Sequence, residues 1–403
     1  MSLEQLLVGR EIAVVCGSGG VGKTTASAAL ALGMARRGRR VCVLTIDPAR
    51  RLANSLGLAE LGDEAHEVPL RGAGKGSLFA MTLDAKRTFD HLIEEYAPSV
   101  EARERILANR IYQQLSGAIV GSQEYMAIER LYELHEEGKY DLLVLDTPPS
   151  RNALDFIEAP GRITRFIEGK TLHFFLEGGL HAGRIGLRAL GRGSLVAWKA
   201  VERLTGFALL SDLSEFFLSF EGMYEGFRER AAEVRALLRD RRTVFLLVTG
   251  PEREPIEEAA FFWRKLVEAE LPFGGVIVNK VHADYLGGAL ERSAARLRRS
   301  AMSELLNGGL ARELADRIAG TLLASQALAH RDRENIRALA RRLGPDLLLE
   351  VPHLDEDVHD VPGLARLEPY LFGGPGTGDD DLLSGGARGG RASRSRRSPP
   401  PAP

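Results

Sequence analysis

A glycine-rich stretch near the start of the chain combines residue types suited to holding phosphate groups. Residues 17–25 read GSGGVGKTT and satisfy the spacing G-x-x-x-x-G-K-[ST]. Glycines in such a loop let backbone N–H groups turn inward around phosphate oxygens, where side chains would collide. Lys23 would reach the β- and γ-phosphates as a point charge, and the Thr24 hydroxyl would help to hold Mg²⁺. The spacing therefore predicts a nucleoside triphosphate site, and the alternative is a glycine turn without a ligand.

A phosphate-binding loop needs a strand before it and a helix after it, and the sequence offers both. The apolar run at residues 11–16 precedes the glycines, and an alanine-rich helical pattern at residues 25–37 follows them. The positive N-terminal end of that helix favours bound anions. The predicted phosphate-binding residues are Gly17, Ser18, Gly19, Gly20, Val21, Gly22, Lys23, Thr24 and Thr25.

Two aspartates follow strand-like runs and could complete the chemistry. Asp47 is followed by Pro48, which holds the preceding residue extended, so its carboxylate could accept a hydrogen bond from the water that attacks the γ-phosphorus. Asp146 ends the run Leu-Leu-Val-Leu-Asp, which is the Walker B arrangement for Mg²⁺. We therefore predict Asp47 and Lys23 as catalytic residues, and Thr24 and Asp146 as the magnesium site. The alternative for each aspartate is a helix cap or a turn.

The elements that must position these residues are indicated by short apolar runs alternating with helical patterns. The runs lie at residues 13–16, 41–46, 78–83, 141–146, 244–249, 275–279 and 347–351. Strands buried on both faces of a parallel sheet have this composition. The pattern predicts an α/β fold with a doubly wound, mostly parallel sheet of seven or eight strands. Residues 1–373 would form one P-loop domain that binds and hydrolyses a nucleoside triphosphate, with helical insertions at about 86–139 and 151–241.

Composition indicates the cellular compartment and the kinds of partner expected for this chain. Its 403 residues carry a net charge of −2, which gives no case for a nucleic-acid partner. Cys16 and Cys42 each lie inside an apolar run, as expected in a reducing compartment. We see no signal peptide and no run long enough for a membrane span, so we expect a cytoplasmic protein with at most peripheral membrane contact.

The last thirty residues, 374–403, are rich in glycine, arginine and proline and offer little to bury. This composition predicts a disordered tail. Its arginines could contact RNA or anionic lipid, and the alternative is a solubilising or neutral tail.

Five segments together resemble the ArsA and guided-entry family of ATPases, within the larger class of MinD, ParA and the nitrogenase iron protein. They read GSGGVGKTT (17–25), IDPARRLANSLG (46–57), LDTPPSRNALDF (145–156), VTGPE (248–252) and GVIVNKV (275–281). The resemblance implies ATP hydrolysis by a dimer that encloses the nucleotide. It also implies that Asn279 reads adenine, that Glu252 lies on the nucleoside side, and that the segment containing Pro352 covers the adenine ring.

The sequence departs from the family pattern at the second residue of the loop. The family has a lysine there that crosses to the partner's nucleotide, whereas this chain has Ser18. The missing charge predicts either slow hydrolysis or a partner that supplies it, as in a heterodimer with a related ATPase. Arg50 and Arg51 are possible substitutes. A homodimer remains the alternative.

Two metal-binding features of relatives are also missing. The arsenite pump needs thiolate ligands and a tandem pair of ATPase halves, and the tail-anchored targeting relatives use a CxxC zinc clasp. This chain has two cysteines and no CxxC, which makes arsenite pumping improbable.

A loop cluster of His353, Asp355, Asp357, His359 and Asp360 superficially resembles metal ligands. Its flanking prolines favour a solvated loop near the nucleotide.

Aromatic residues concentrate in the second insertion, because residues 156–227 hold nine of the sixteen phenylalanines. Phe216, Phe220, Met223 and Phe227 would share one side of a helix that begins near residues 211–212. A looser group contains Leu195, Trp198, Val201 and Leu204. In the targeting relatives this region forms a groove for a hydrophobic client helix. The alternative is that the rings pack the insertion's own core or a dimer interface.

The function that these observations favour is a magnesium-dependent ATPase switch that handles a hydrophobic client or partner protein. One alternative is a positioning ATPase similar to MinD or ParA, which would need a targeting element such as the arginine-rich tail. Another is a nucleotide-binding subunit with little turnover, which Ser18 keeps open.

Overall fold

The computed structural model describes residues 2–47, 51–70, 76–115, 122–148, 223–285, 294–344 and 348–373. Its strands are β1 Ile12–Cys16, β2 Arg40–Thr45, β3 His66–Val68, β4 Ser77–Thr82, β5 Leu142–Asp146, β6 Thr243–Thr249, β7 Phe273–Val281 and β8 Leu348–Pro352. They form one eight-stranded sheet in the order β3-β4-β2-β5-β1-β6-β7-β8. Neighbouring strands are parallel except for the antiparallel edge pair β3–β4. The predicted α/β fold with a mostly parallel sheet is confirmed.

Each of the seven predicted apolar runs corresponds to a strand, and the ends differ by two residues at most. The runs were recognisable because strands covered on both faces contain few polar residues. Strand β3 was not individually predicted. It has only three residues, and its His66 and Glu67 are exposed at the edge of the sheet, so no apolar run marks it.

Helices follow most of the strands. Those in the described residues are α1 Leu3–Leu6, α2 Lys23–Arg36, α3 Arg51–Ser55, α4 Ala85–Tyr96, α5 Val100–Ala108, α6 Arg110–Leu115, α7 Ser122–Glu136, α8 Tyr224–Arg239, α9 Arg253–Glu268, α10 Ala294–Asn307, α11 Arg312–Leu343, α12 Val361–Ala365 and α13 Glu368–Phe372. Helix α2 corresponds to the predicted helix after the loop. None of these helices has both the length and the apolar composition needed to cross a membrane.

The sheet separates two hydrophobic cores, because alternate residues of a strand point to opposite faces. On one face Ile12 and Val14 pack with α7, α8, α9 and α11. On the other face Ala13 and Val15 pack with α2, α12 and α13. Helix α2 is buried over most of its surface, which explains its alanine-rich composition.

The strand order brings the two predicted aspartates close to the glycine-rich loop. Strand β1 lies between β5 and β6, and Val15 is the register partner of Asp146. Strand β2 lies on the other side of β5, where Thr45 is a second partner of Asp146. The loop after β1 and the residues after β2 and β5 therefore meet at one edge of the sheet, where ligands of doubly wound folds bind.

The aromatic stripe predicted in the second insertion is only partly within the described residues. Helix α8 begins at Tyr224 with Met223 as its N-cap, so the single helix predicted from residues 211–212 through Phe227 is wrong at this point. Met223 and Phe227 are buried in the core. The Phe227 ring lies 5.8 Å from that of Tyr96 and 6.3 Å from that of Phe89.

The remaining residues of that prediction lie outside the described part of the chain. They are Leu195, Trp198, Val201, Leu204, Phe216 and Phe220. The same holds for Pro48, Arg50 and the tail at residues 374–403. The division into one domain, two insertions and a tail stays a prediction.

Candidate functional site

The glycine-rich loop connects the end of β1 to the start of α2 and is shaped by close backbone contacts. Gly17 has φ 150°, and a β-carbon on it would overlap the Val248 carbonyl oxygen of the neighbouring strand. Gly22 is the left-handed N-cap of α2 with φ 92°, and a β-carbon there would overlap the Asn279 side chain. Glycine is the residue that fits both positions. The backbone of the loop therefore requires glycine at these two positions, and its binding of phosphate stays a prediction.

Lys23 is the first residue of α2 and turns its side chain back over the loop. Its Nζ donates to the Ser18 carbonyl oxygen at 2.8 Å, and the residue is 6% exposed. Burial lowers the pKa of the ammonium, while the Asp146 carboxylate opposes that shift. A cation is thus held inside the loop, where it can interact with a phosphate group.

Thr24 and Asp146, the two predicted magnesium ligands, contact each other. The Thr24 hydroxyl donates to Asp146 Oδ2 at 2.7 Å, and the Thr45 hydroxyl donates to the same oxygen at 3.0 Å. Asp146 is 1% exposed. Burial raises its pKa from 3.8 to about 6, although the two hydrogen bonds and the Lys23 charge act in the opposite direction. A hydroxyl and a carboxylate are hard oxygen ligands that suit Mg²⁺, either directly or through its water.

Asp47 follows β2 and lies on the rim of the same site. Its backbone N–H donates to the Thr45 hydroxyl at 3.2 Å, and its side chain is 13% exposed. The Arg51 guanidinium lies 3.4 Å from Asp47 Oδ2. Of the two arginines considered as substitutes for the missing lysine, Arg51 is therefore within reach of the predicted hydrolytic carboxylate.

These groups surround a cleft of about 290 Å³. Its lining residues are Gly20, Gly22, Lys23, Thr24, Thr25, Asp47, Arg51, Asn54, Ser55, Thr147, Val358 and His359. The volume is close to the lower end of small-molecule sites, which is roughly 300 Å³. Gly17, Ser18, Gly19, Val21 and Asp146 were also predicted here but do not line the cleft. Asp146 lies behind Thr24, which donates to it.

The three residues predicted on the nucleoside side lie near the same sheet edge but outside this cleft. Asn279 packs against the loop, and its Nδ2 donates to the Val21 carbonyl oxygen at 2.9 Å. Pro352 ends β8 beside Val281 of β7. Glu252 is exposed at the N-cap position of α9 and makes no side-chain cap. The structure thus brings Asn279 to the loop, whereas Glu252 and Pro352 do not line the cleft that the described residues form.

The loop after β8 contributes to the cleft rather than to a metal cluster. Val358 and His359 line the cleft. Asp360 has a structural role, because its carboxylate accepts from the Gly363 N–H at 2.7 Å at the start of α12. In the described part of the chain, no group of three or more His, Cys, Asp or Glu side chains is arranged to hold a metal ion.

Sequence reasoning missed several polar residues of the site. Thr45 was not singled out although it binds Asp146, and Thr147 was missed although its hydroxyl donates to the Val15 carbonyl oxygen at 2.9 Å. Asn54 and Ser55 lie within the family-like segment at residues 46–57, but no pattern marks them individually. A usable signal was the position of both threonines, within two residues of a predicted aspartate at a strand end.

The two cysteines are free and buried on β1 and β2, which flank β5. Two strand spacings separate these strands by about 10 Å. Burial raises the pKa of both thiols to about 12. Neutral, separated thiols are poor ligands for a soft metalloid.

A larger cleft of about 580 Å³ lies beyond the carboxyl end of β4, between α4 and α7. Its lining includes Asp84, Arg87, Asp90, Arg130 and Glu133. No predicted site residue lines it, so it is separate from the loop chemistry.

Comparisons of the sequence with known proteins find relatives among ATPases. The profile of the anion-transporting ATPase family matches residues 10–175. The chain is 26% identical over 286 residues to ATPase GET3 of Podospora anserina, which covers 70% of this chain and 77% of that protein. It is 34% identical over 161 residues to ATPase GET3 of Malassezia globosa, covering 39% and 46%. It is 25% identical over 269 residues to ATPase ASNA1 homolog 1 of Paramecium tetraurelia, covering 66% and 74%.

The matched region contains the loop, Asp47 and Asp146, which the structure brings together at one sheet edge. By its fold and by its similarity to ATPases of the ArsA and GET3 family, this chain is a P-loop ATPase.

Proposed function

We propose that this chain is a magnesium-dependent ATPase switch of the ArsA and guided-entry type. The observation that carries the proposal is the 2.7 Å contact between the Thr24 hydroxyl and the Asp146 carboxylate. These residues come from separate elements, and their contact supports a magnesium site beside the proposed phosphate loop. Magnesium in such a site neutralises charge on the transferring phosphoryl group.

Each residue of the proposed site has a separate role. Lys23 and the loop amides bind the phosphates, and Thr24 and Asp146 hold the metal. Asp47 orients the attacking water and accepts its proton, with Arg51 fixing the carboxylate. Asn279 lies against the loop on the side where we place the adenine.

We further propose that the switch acts as a dimer on a hydrophobic client or partner protein, in a reducing cytoplasm. The similarity to ATPases named GET3 supports the resemblance from which the dimer and the client are inferred, and the free buried cysteines support a reducing compartment. Ser18 supports pairing with a related ATPase that retains the lysine, or a low turnover when the chain pairs with itself. The positioning-factor alternative depends on the tail, which lies outside the described residues.

The proposed chemistry is tested by phosphate release from ATP by the full chain. We expect release that requires Mg²⁺, and an Asp47→Asn variant that binds ATP normally but hydrolyses it about 10²-fold more slowly, because the general base is lost. Asp316→Asn, which changes an exposed carboxylate on α11, serves as the matched control. Equal rates for wild type and Asp47→Asn would refute the role of Asp47, and no hydrolysis by wild type would refute the activity.

A further inference from the structure

Two consecutive residues at the end of β7 hold two consecutive carbonyls of the phosphate loop. Asn279 Nδ2 donates to the Val21 carbonyl oxygen at 2.9 Å, and Lys280 Nζ donates to the Gly20 carbonyl oxygen at 2.9 Å. In a regular strand, consecutive side chains point to opposite faces of the sheet. Both can reach the same loop only if the backbone departs from a regular strand between them.

The pairing of β7 with β8 shows that departure. Val278 pairs with Glu350 and Val281 pairs with Pro352, so β7 has one more residue than β8 across this interval. One extra residue on one strand is a β-bulge, which turns side chains and occurs often beside functional sites.

Lys280 also has an unusual backbone conformation, with φ 63°. Among the described residues, Glu270 is the other non-glycine residue with positive φ. A lysine is strained in this left-handed region, and such strain persists where the surrounding structure determines the conformation. The bulge and the strain together direct an exposed ammonium to the Gly20 carbonyl.

Holding these carbonyls fixes the amides that the loop presents to a ligand. In a trans peptide the C=O of one residue and the N–H of the next point in opposite directions. The contact at Gly20 therefore orients the Val21 N–H, and the contact at Val21 orients the Gly22 N–H. Both amides are turned away from the side on which Asn279 and Lys280 lie. Gly20 and Gly22 line the phosphate cleft.

We propose that Lys280 is a positioning residue that holds the loop in the conformation required for the phosphate groups of a nucleoside triphosphate. This inference rests on the proposed ATP site. A loop that is already ordered loses less conformational freedom when the ligand binds, so Lys280 raises affinity without contacting the reacting atoms. Its charge adds to the positive potential around the loop.

The test separates the side chain of Lys280 from its backbone strain. Lys280→Gly removes the ammonium but relieves the positive φ, whereas Lys280→Arg keeps a donor. We expect Lys280→Gly to keep or raise the Tm and to weaken binding of ATP with Mg²⁺ about tenfold, the usual effect of losing a charged hydrogen bond. Lys280→Arg should restore most of the affinity. In hydrogen exchange of the nucleotide-free chain, the Val21 and Gly22 amides should exchange faster in Lys280→Gly.

The matched control is Lys139→Gly, which removes another exposed lysine outside a helix. It should bind ATP as wild type does. Wild-type affinity in Lys280→Gly would overturn the inference and leave the proposed ATP site intact. Weaker binding accompanied by a lower Tm would also overturn it, because the side chain would then support the fold in general. Failure of the wild-type chain to bind ATP would overturn the proposed function itself.

Discussion

At the scale of single residues, the site is dominated by one buried carboxylate. Asp146 is 1% exposed and receives hydrogen bonds from Thr24 and Thr45. These bonds stabilise the charged form but do not offset the cost of burial, because the pKa of Asp146 is raised to about 6. A cation such as Mg²⁺ would stabilise the same charge and relieve that cost. At neutral pH the charge on Asp146 therefore makes the nucleotide-free protein less stable.

The raised pKa predicts how the stability of the nucleotide-free chain depends on pH. The folded chain binds the proton of Asp146 more tightly than the unfolded chain does, so this residue lowers stability as the pH rises from about 4 to about 6. Over this pH range the charge on Asp146 lowers the free energy of unfolding by about 3 kcal/mol, because its pKa is raised by roughly two units. Asp146→Asn should remove this slope and raise the free energy of unfolding at pH 7.

Urea unfolding at a series of pH values measures the effect, with Asp316→Asn as the surface control. Parallel stability curves for wild type and Asp146→Asn between pH 4 and pH 7 would contradict the assignment. The same protonation should weaken Mg²⁺ binding as the pH falls through about 6.

Residues with a fixed spacing were predictable from the sequence, and residues placed by the sheet register were not. Lys23 and Thr24 belong to a contiguous motif, and Asp146 ends an apolar run. The place of Thr45 two residues before Asp47 indicates that it lies near the site, but its partner Asp146 follows from the pairing of β2 with β5, which no local pattern reveals. Lys280 reaches the loop through a bulge and a left-handed backbone, for which lysine has no preference.

At the scale of secondary-structure elements, α8 packs into one of the two hydrophobic cores. Phe227 on this helix is 2% exposed and packs against Tyr96 of α4. The sequence grouped Phe227 with Phe216 and Phe220 by helical spacing. Spacing cannot distinguish a core face from a client groove, since both are apolar stripes. The helix start at Tyr224 divides the group, and the two described members belong to the core.

Substitutions in that group should separate core from groove. Phe227→Ala should lower the free energy of unfolding by about 3–5 kcal/mol, because it leaves a cavity in the core. If Phe216 and Phe220 form a client groove, changing both to serine should leave stability unchanged and abolish capture of a hydrophobic helix. Chemical denaturation and a binding assay with a synthetic apolar helix measure the two effects. A double variant as unstable as Phe227→Ala would favour the core interpretation.

At the scale of the whole molecule, the sheet order positions all of this chemistry. The loop after β1 lies between residues contributed by β2 and β5 on one side and by β7 on the other. This arrangement was predictable as a doubly wound fold, because alternating apolar runs and helices permit few topologies. How two copies or two related chains would face each other was not predictable, because Ser18 stands where the resemblance leads us to expect a lysine that crosses the proposed dimer.

The missing lysine gives a prediction about turnover. Ser18→Lys should raise the rate of ATP hydrolysis of the purified chain by about tenfold or more, because a cation near the transferring phosphate stabilises the transition state. Steady-state phosphate release measures the rate, and Ser303→Lys adds the same charge at an exposed position on α10 as a control. An unchanged rate in Ser18→Lys would mean that another group, such as Arg51, already supplies the charge.

The central claim is that the loop at residues 17–25 binds a nucleoside triphosphate together with magnesium, and isothermal titration calorimetry tests it most directly. We expect the full chain to bind ATP with a measurable heat and to bind it more tightly when Mg²⁺ is present. Lys23→Ala should lose most of this affinity, since the loop ammonium is removed. No heat with wild type, or equal affinity in wild type and Lys23→Ala, would contradict the account.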